Sequence, residues 1–216
     1  SVCLPPCPST TSVPDGLWYG AVQSPLDGRI YSAPRNGDGV LVIDPSSDPP
    51  TTIKIPTSSG FENGAWLGTV LAADGRVFGI PRNAEQVLII NPHGTFSAQI
   101  YTPSVSYIGN FIGTAKWSGG VRTHDGRIFC FPYMASSALI IDPRDDTLDN
   151  TTLIVPPGDY KWLGGVLGSN GIVWGAPFHF SSILRISPFN DTLRTIDLPS
   201  SWSTRTGWFG GACDEL

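Results

Sequence analysis

The sequence predicts an all-β chain folded as a β-propeller of four-stranded antiparallel blades. Three observations predict it. A motif beginning Trp-x-Gly recurs from Trp18, Trp66, Trp117 and Trp162, at spacings of 48, 51 and 45 residues, and a partial copy starts at Trp208, 46 residues later. Inside each full unit two prolines stand 11 residues apart: Pro34 and Pro45, Pro81 and Pro92, Pro132 and Pro143, Pro177 and Pro188. Each unit also divides into four short apolar segments punctuated by Gly, Asp, Asn and Pro, and a repeat of this length built from four strands is the pattern of a propeller blade. A solenoid of stacked hairpins is the alternative, although solenoid coils are normally shorter.

The elements follow in order. "WYGAV", "WLGTV", "WSGGV" and "WLGGV" alternate large and small residues and form the first strand. The small residue two after each Trp (Gly20, Gly68, Gly119, Gly164) suits an inner strand crowded near an axis, with the Trp packed between blades. "DGRIY" and its counterparts are a tight turn and a second strand, because Gly accepts positive φ between alternating apolar residues. The "VLVIDP" type of run is a third strand buried on both faces. It ends at Pro, which donates no ladder hydrogen bond. "TTIKIP", "SAQIYTP", "TTLIVP" and "RTIDLP" alternate and end on Pro, as an exposed outer edge should. The chain thus divides into an arm rich in Pro, Ser, Thr and Cys (1–17), a propeller (18–213) with four full repeats plus one extra inner strand, and a tail (214–216).

The unit resembles the propeller repeats of the kelch and NHL-like group. It is most similar to a W-x-G-G-V…D-G-R-I-Y…P…L-I-I-D-P repeat of large secreted algal and protist proteins. The Gly-Gly pairs at 119–120, 164–165 and 210–211 are shared with kelch, which lacks the "DGRIY" segment. The resemblance spans about residues 18–212 and implies fold rather than chemistry.

Composition excludes several classes. Charged residues are only 14% and net charge is −5, with no basic cluster, so nucleic acid is not an expected partner. No apolar run approaches the ~20 residues of a membrane span. Four cysteines and the sequons at Asn150 and Asn190 point to an extracellular setting. The sequons are read as occupying corresponding places in their repeats. Cys3, Cys7 and Cys213 are the disulfide candidates, and Cys130, in a second strand, is read as a buried free thiol. The closing "CDEL" is only faintly like an ER-retrieval tail.

Chemistry is sparse. Asp27, Asp74, Asp125 and Asn170 precede Gly in hairpin turns and are read as turn residues rather than a carboxylate ring. The arginines that follow, Arg29, Arg76 and Arg127, are read as cross-strand or inter-blade ion-pair formers. His93, His124 and His179 occupy three different repeat positions, so no shared His metal site is expected. No cofactor is expected either, while a structural calcium stays open because carbonyls and single carboxylates suffice. The candidate binding surface is the loop between second and third strands, constant in length and variable in residue. It offers Arg35, Asn36, Arg82 and Asn83 from two units and Tyr133, Met134, Phe178, His179 and Phe180 from the others.

These features lead to the expectation of a non-catalytic extracellular scaffold or assembly subunit. Its partners would be copies of itself or extracellular glycans and proteins. The extra strand, with Trp208, Phe209 and Cys213, leaves three outcomes open: four blades that close with it displaced or added, a longer propeller from which the chain is cut, or a strand that completes a neighbouring chain and joins copies head to tail. The alternative is a sugar-binding propeller using the variable loops, and the third reading is a calcium-dependent hydrolase.

Overall fold

A computed structural model describes residues 16–57, 64–97 and 100–201. Its strands form four antiparallel four-stranded sheets, each a simple meander in chain order, and the described residues contain no helix. Blade 1 holds β1 (Val22–Gln23), β2 (Ile30–Ser32), β3 (Gly39–Asp44) and β4 (Thr51–Pro56). Blade 2 holds β5 (Trp66–Leu71), β6 (Val77–Pro81), β7 (Val87–Ser97) and β8 (Ile100–Ile108). Blade 3 holds β9 (Trp117–Arg122), β10 (Ile128–Pro132), β11 (Leu139–Asp142) and β12 (Thr147–Asp149). Blade 4 holds β13 (Trp162–Leu167), β14 (Val173–Pro177), β15 (Ser182–Ser187) and β16 (Thr192–Asp197). The partial repeat with Trp208, Phe209 and Cys213 lies outside the described residues, as do Cys3 and Cys7.

The hairpin turns work as their residue types dictate. The side-chain oxygen of Asp27, Asp74, Asp125 or Asn170 accepts a bond from the backbone N–H two residues on, at 3.0–3.2 Å. The tryptophans repeat one bond as well. The indole Nε1 of Trp18, Trp66, Trp117 and Trp162 donates to the carbonyls of Gly39, Gln86, Ser137 and Ser182 at 2.8–2.9 Å. Each indole therefore ties the inner strand of a blade to the start of its third strand. At Trp117 and Trp162, where the bond is buried, this satisfies a donor that would otherwise cost about 1–3 kcal/mol.

Burial follows the blade seams. One core joins Tyr31, Ala33, Val40 and Val42 of blade 1 to Trp66, Leu88 and Ile90 of blade 2. A second joins Phe78, Ile80 and Ile89 of blade 2 to Trp117, Ile128 and Leu139 of blade 3. The third joins Phe129, Phe131 and Ile140 of blade 3 to Trp162, Val173 and Leu184 of blade 4. Trp66, Trp117 and Trp162 pack between neighbouring blades, whereas Trp18 is half-buried and belongs to none of these cores; full burial of so large a side chain contributes roughly 1.5–3 kcal/mol. Cys130 is free and fully buried in the second core, where burial pushes its thiol pKa up.

Ion pairs reinforce two seams. Arg76 donates to Asp74 in its own turn, to Asp146 of blade 3 at 2.8 Å, and to the Pro143 carbonyl. Arg127 repeats the clasp one blade on, with Asp125 at 2.8 Å, Asp191 at 2.9 Å and the Pro188 carbonyl at 2.6 Å. Asp146 and Asp191 both sit in left-handed turns (φ 57° and 48°), which short Asp side chains tolerate. Arg29 instead bonds Asp44 of its own blade at 3.1 Å, and Ile172 occupies the corresponding position in blade 4.

Three expectations need correction. In blade 2 Pro92 does not end the third strand, which runs through it to Ser97 with its register against β8 shifting between Asn91 and Thr95, and β8 passes Pro103 to end at Ile108. The outer strand of blade 3 is Thr147–Asp149, not "TTLIVP". The Asp149 carboxylate accepts from the Thr151 and Thr152 N–H groups at 2.7 and 3.0 Å, turning the chain. Beyond that turn Leu153 and Val155 enter the third core and only Ile154 bridges back, to Ser137. The sequons are also not equivalent: Asn150 follows the outer strand of its blade, whereas Asn190 precedes that of blade 4.

Candidate functional site

The inner strands create an axis by leaving out side chains. Gly20, Gly68, Gly119 and Gly164 have φ between +71° and +96°. A Cβ on Gly20 would lie 3.2 Å from the Gly68 Cα, one on Gly68 3.0 Å from the Gly119 Cα, and one on Gly119 3.6 Å from the Gly164 Cα. In β5 and β13 the left-handed glycine falls where the register shifts against the second strand, as in a bulge. A cavity of about 250 Å³ runs along these glycines, between Tyr19, Thr69, Ser118 and Leu163.

One end of this axis carries a main-chain belt that links the four blades in chain order. The N–H groups of Arg35, Arg82, Tyr133 and Phe178 donate to the carbonyls of Leu17, Ala65, Lys116 and Lys161, each the residue before its blade's Trp, at 2.7–2.9 Å. The carbonyls of Arg35, Arg82 and Tyr133 accept in turn from the N–H groups of Ala65, Lys116 and Lys161 in the next blade, at 2.7–2.9 Å. The first residue of every variable loop is thereby fixed at one level of one face.

Arg35, Arg82, Tyr133 and Phe178 consequently line a single cavity of about 220 Å³. Tyr19, Leu67 and Leu163 form the rest of its wall, and Tyr19 and Leu163 also line the axial cavity, so the two adjoin. Arg82 stands 5.8 Å from the Tyr133 ring centroid, and Tyr133 lies 5.9 Å from Phe178 and 5.2 Å from Tyr160. No carboxylate lines the cavity, and neither arginine makes an ion pair among the described residues. Arg35 Nε is buried without a hydrogen-bond partner, as is Thr69 Oγ1 on the axial cavity. Leaving such a donor unsatisfied costs about 1–3 kcal/mol, and sites of this kind are commonly completed by a ligand or water. Burial pushes the Tyr133 phenol pKa up, although the Arg82 charge opposes it, so the phenol keeps its proton at neutral pH.

The remaining candidates divide. Asn36 and Asn83 are structural latches, their amide oxygens accepting from the Gly64 and Ala115 N–H groups of the next blade at 2.7 and 2.6 Å. His179 stacks on Phe178 at 4.2 Å and meets the Tyr160 ring edge-on at 5.8 Å. Phe180 turns away to pack edge-to-face on Trp162 at 5.0 Å. Met134 lines a separate surface pocket of about 470 Å³ with Phe111 and Lys116, whose pKa burial lowers to about 8.

Tyr160 escaped the sequence reading. It stands two residues before Trp162, at the position of Gly16, Gly64 and Ala115, and all four residues have positive φ (36°, 82°, 51° and 53° in chain order). A Cβ on Gly64 would lie 2.6 Å from Arg82 Nη1, so glycine there makes room for the guanidinium. A tyrosine held in this conformation costs of order 1–2 kcal/mol, and such outliers concentrate at functional sites.

Solved structures give the context for this geometry. A catalytically inactive virginiamycin B lyase from Staphylococcus aureus with quinupristin is 13% identical, with a TM-score of 0.70 over 95% of this chain and 62% of that one. A streptogramin B lyase structure is 17% identical, with a TM-score of 0.64 over 88% of this chain and 57% of that one. A protein from Lactobacillus plantarum is 14% identical, with a TM-score of 0.60 over 91% of this chain and 57% of that one. The chain has a propeller fold. It spans about three-fifths of the length of these neighbours. No protein-family model matches it, nor does any curated protein.

At such identities the likeness carries the fold alone, yet it corrects the functional expectation. Three of the neighbours that align over most of the chain are lyases, and this finding overturns the expectation of a non-catalytic structural or assembly subunit. The sugar-binding alternative and the calcium-dependent hydrolase gain no support from the neighbours. Among the described residues no group of three or more His, Cys, Asp or Glu is placed to hold a metal ion.

Proposed function

We propose that the chain is part of a lyase-type enzyme that binds a small molecule at the belted end of its propeller axis. One observation carries this reading: two guanidinium groups, without carboxylate partners among the described residues, face a tyrosine and a phenylalanine across one cavity. Elimination develops negative charge on the substrate, and prepositioned donors in a site shielded from water stabilise it. Arg35 and Arg82 are those donors in this reading. The protonated Tyr133 phenol is the candidate acid. The fold likeness to two lyases supports the reaction class. The motifs of the repeat support its assignment to the kelch and NHL-like group, and exposed Asn150 and Asn190 support an extracellular setting.

The test is untargeted turnover. The natural full-length protein and an Arg35→Gln/Arg82→Gln double variant are incubated with a small-metabolite extract and with quinupristin, and consumption is followed by mass spectrometry. At least one compound is expected to be consumed by the wild type and spared by the variant. Identical profiles from the two proteins, both folded, would count decisively against catalysis at this site.

A further inference from the structure

The mouth of the axis also specifies what enters it. We infer that the site takes a small planar-ring compound carrying one anionic group, with the anion between Arg35 and Arg82 and the ring against Tyr133 and Phe178. This deepens the proposed function and rests on the same cavity, but it concerns binding and holds whether or not turnover follows.

Four observations carry it. The protein is acidic, with net charge −5, yet among the described residues this cavity is lined by two cations and no carboxylate. The Arg35 Nε donor is buried and unpartnered, and a guanidinium presents its donors in a planar fork that matches carboxylate or phosphate oxygens. The opposite wall is aromatic: Tyr133 lies 5.9 Å from Phe178, which His179 backs in a stacked arrangement. Flat rings recognise one another through offset or edge contacts at such separations. Size agrees too, since the 220 Å³ mouth and the 250 Å³ axial cavity it adjoins fall together in the range of small-ligand sites, roughly 300–1,000 Å³. Thr69 Oγ1, unpartnered on the axial side, gives a polar substituent of the ligand somewhere to bond.

The arrangement divides labour by blade. Blades 1 and 2 supply the charge and blades 3 and 4 the rings, from the same repeat position, so the ligand lies across the axis with its acid toward the first two blades. A symmetric polyanion would leave the aromatic half unused, and a neutral sugar would leave both guanidinium groups unneutralised.

Calorimetric titration of the natural full-length protein tests this with phenylacetate, phenyl phosphate, phenylacetamide and acetate. Phenylacetate or phenyl phosphate is expected to bind at least tenfold more tightly than the neutral phenylacetamide, and whichever anion binds more tightly identifies the acid. Arg35→Gln and Arg82→Gln should each weaken that anion at least tenfold, and Phe178→Ala should narrow the gap between phenylacetate and acetate. Near-ultraviolet circular dichroism checks that each variant remains folded. Equal affinity for phenylacetate and phenylacetamide overturns the proposal. So does a folded Arg82→Gln protein that binds as the wild type does, or the absence of binding by both ring anions at millimolar concentration. Binding without turnover of any extract compound sustains this proposal and removes the lyase reading, whereas Arg-dependent turnover confined to neutral compounds does the reverse.

Discussion

Removing the Arg127 guanidinium should loosen the seam between blades 3 and 4 far more than removing any other ion pair of that blade. Arg127 has a side chain only 16% exposed, bonds Asp125, Asp191 and the Pro188 carbonyl, and lies 5.1 Å from the Phe129 ring. Arg144, 69% exposed, bonds only Asp142 two residues away. Arg127→Ala deletes charge-assisted bonds worth about 1.5–3 kcal/mol each in a shielded setting, but Asp125 and Asp191 are partly exposed and rehydrate, so a net loss of about 2 kcal/mol is expected. Arg144→Ala should cost no more than about 0.5 kcal/mol. For a domain of this size each kcal/mol moves Tm by about 2–4 °C, giving a fall of about 4–8 °C against 2 °C or less. Reversible thermal melts followed by circular dichroism, repeated in urea to confirm a single transition, measure both. Equal melting points for the two variants would refute the clasp as a stabilising contact. An Arg127→Ala loss that vanished in high salt would reduce it to a screened surface pair.

Three further outcomes can be measured. Gly68→Ala puts a side chain at φ +96° and 3.0 Å from the Gly119 backbone, so it should destabilise by about 2–4 kcal/mol, more than Gly119→Ala, whose Cβ has 3.6 Å; urea midpoints that rank the other way would contradict the glycine-lined axis. Burial lowers the Lys116 pKa to about 8 from an unfolded value near 10.5, so the unfolded chain binds the extra proton between these values and wild-type stability should rise relative to Lys116→Met as pH increases from 7 to 10; a difference constant with pH would show that the amine is not perturbed. Peptide:N-glycosidase treatment of secreted material should remove mass at both Asn150 and Asn190, and unglycosylated peptides at both positions would oppose an extracellular setting.

The repeat was legible in the sequence because its punctuation is stereochemical. Asp-Gly or Asn-Gly turns and the Trp-x-Gly opening recur in every unit, and a Pro follows the third strand in blades 1, 3 and 4, though in blade 2 the ladder runs through Pro92 and Pro103. The outer strand of blade 3 was misread because "TTLIVP" alternates like a strand, while the side chain of Asp149, just before it, turns the backbone out of the ladder. Of the variable loops, the sequence indicated which segments meet, but not which side chains point inward. Asn36 and Asn83 look like ligand donors and are latches, and the constant loop length reflects the belt rather than a ligand. Tyr19, Leu67 and Leu163 were hidden in the inner strand, although their common place one after Trp was a usable signal.

The belt explains how one scaffold carries an asymmetric site. Because the fold of each blade depends on backbone groups at the loop's first residue, that side chain is released from any structural duty and can be Arg, Tyr or Phe without altering the belt of bonds. The position two before Trp is coupled to it. Where the loop begins with Arg, the partner is Gly16 or Gly64, and a Cβ on Gly64 would collide with the Arg82 guanidinium. Where it begins with an aromatic residue, the partner is Ala115 or Tyr160, held at positive φ despite its cost. The chain therefore tolerates backbone strain in the two blades that supply rings and avoids it in the two that supply charge. The strained Tyr160 packs against the cavity's own aromatic wall, its ring 5.2 Å from that of Tyr133, and residues held in such conformations cluster at functional sites.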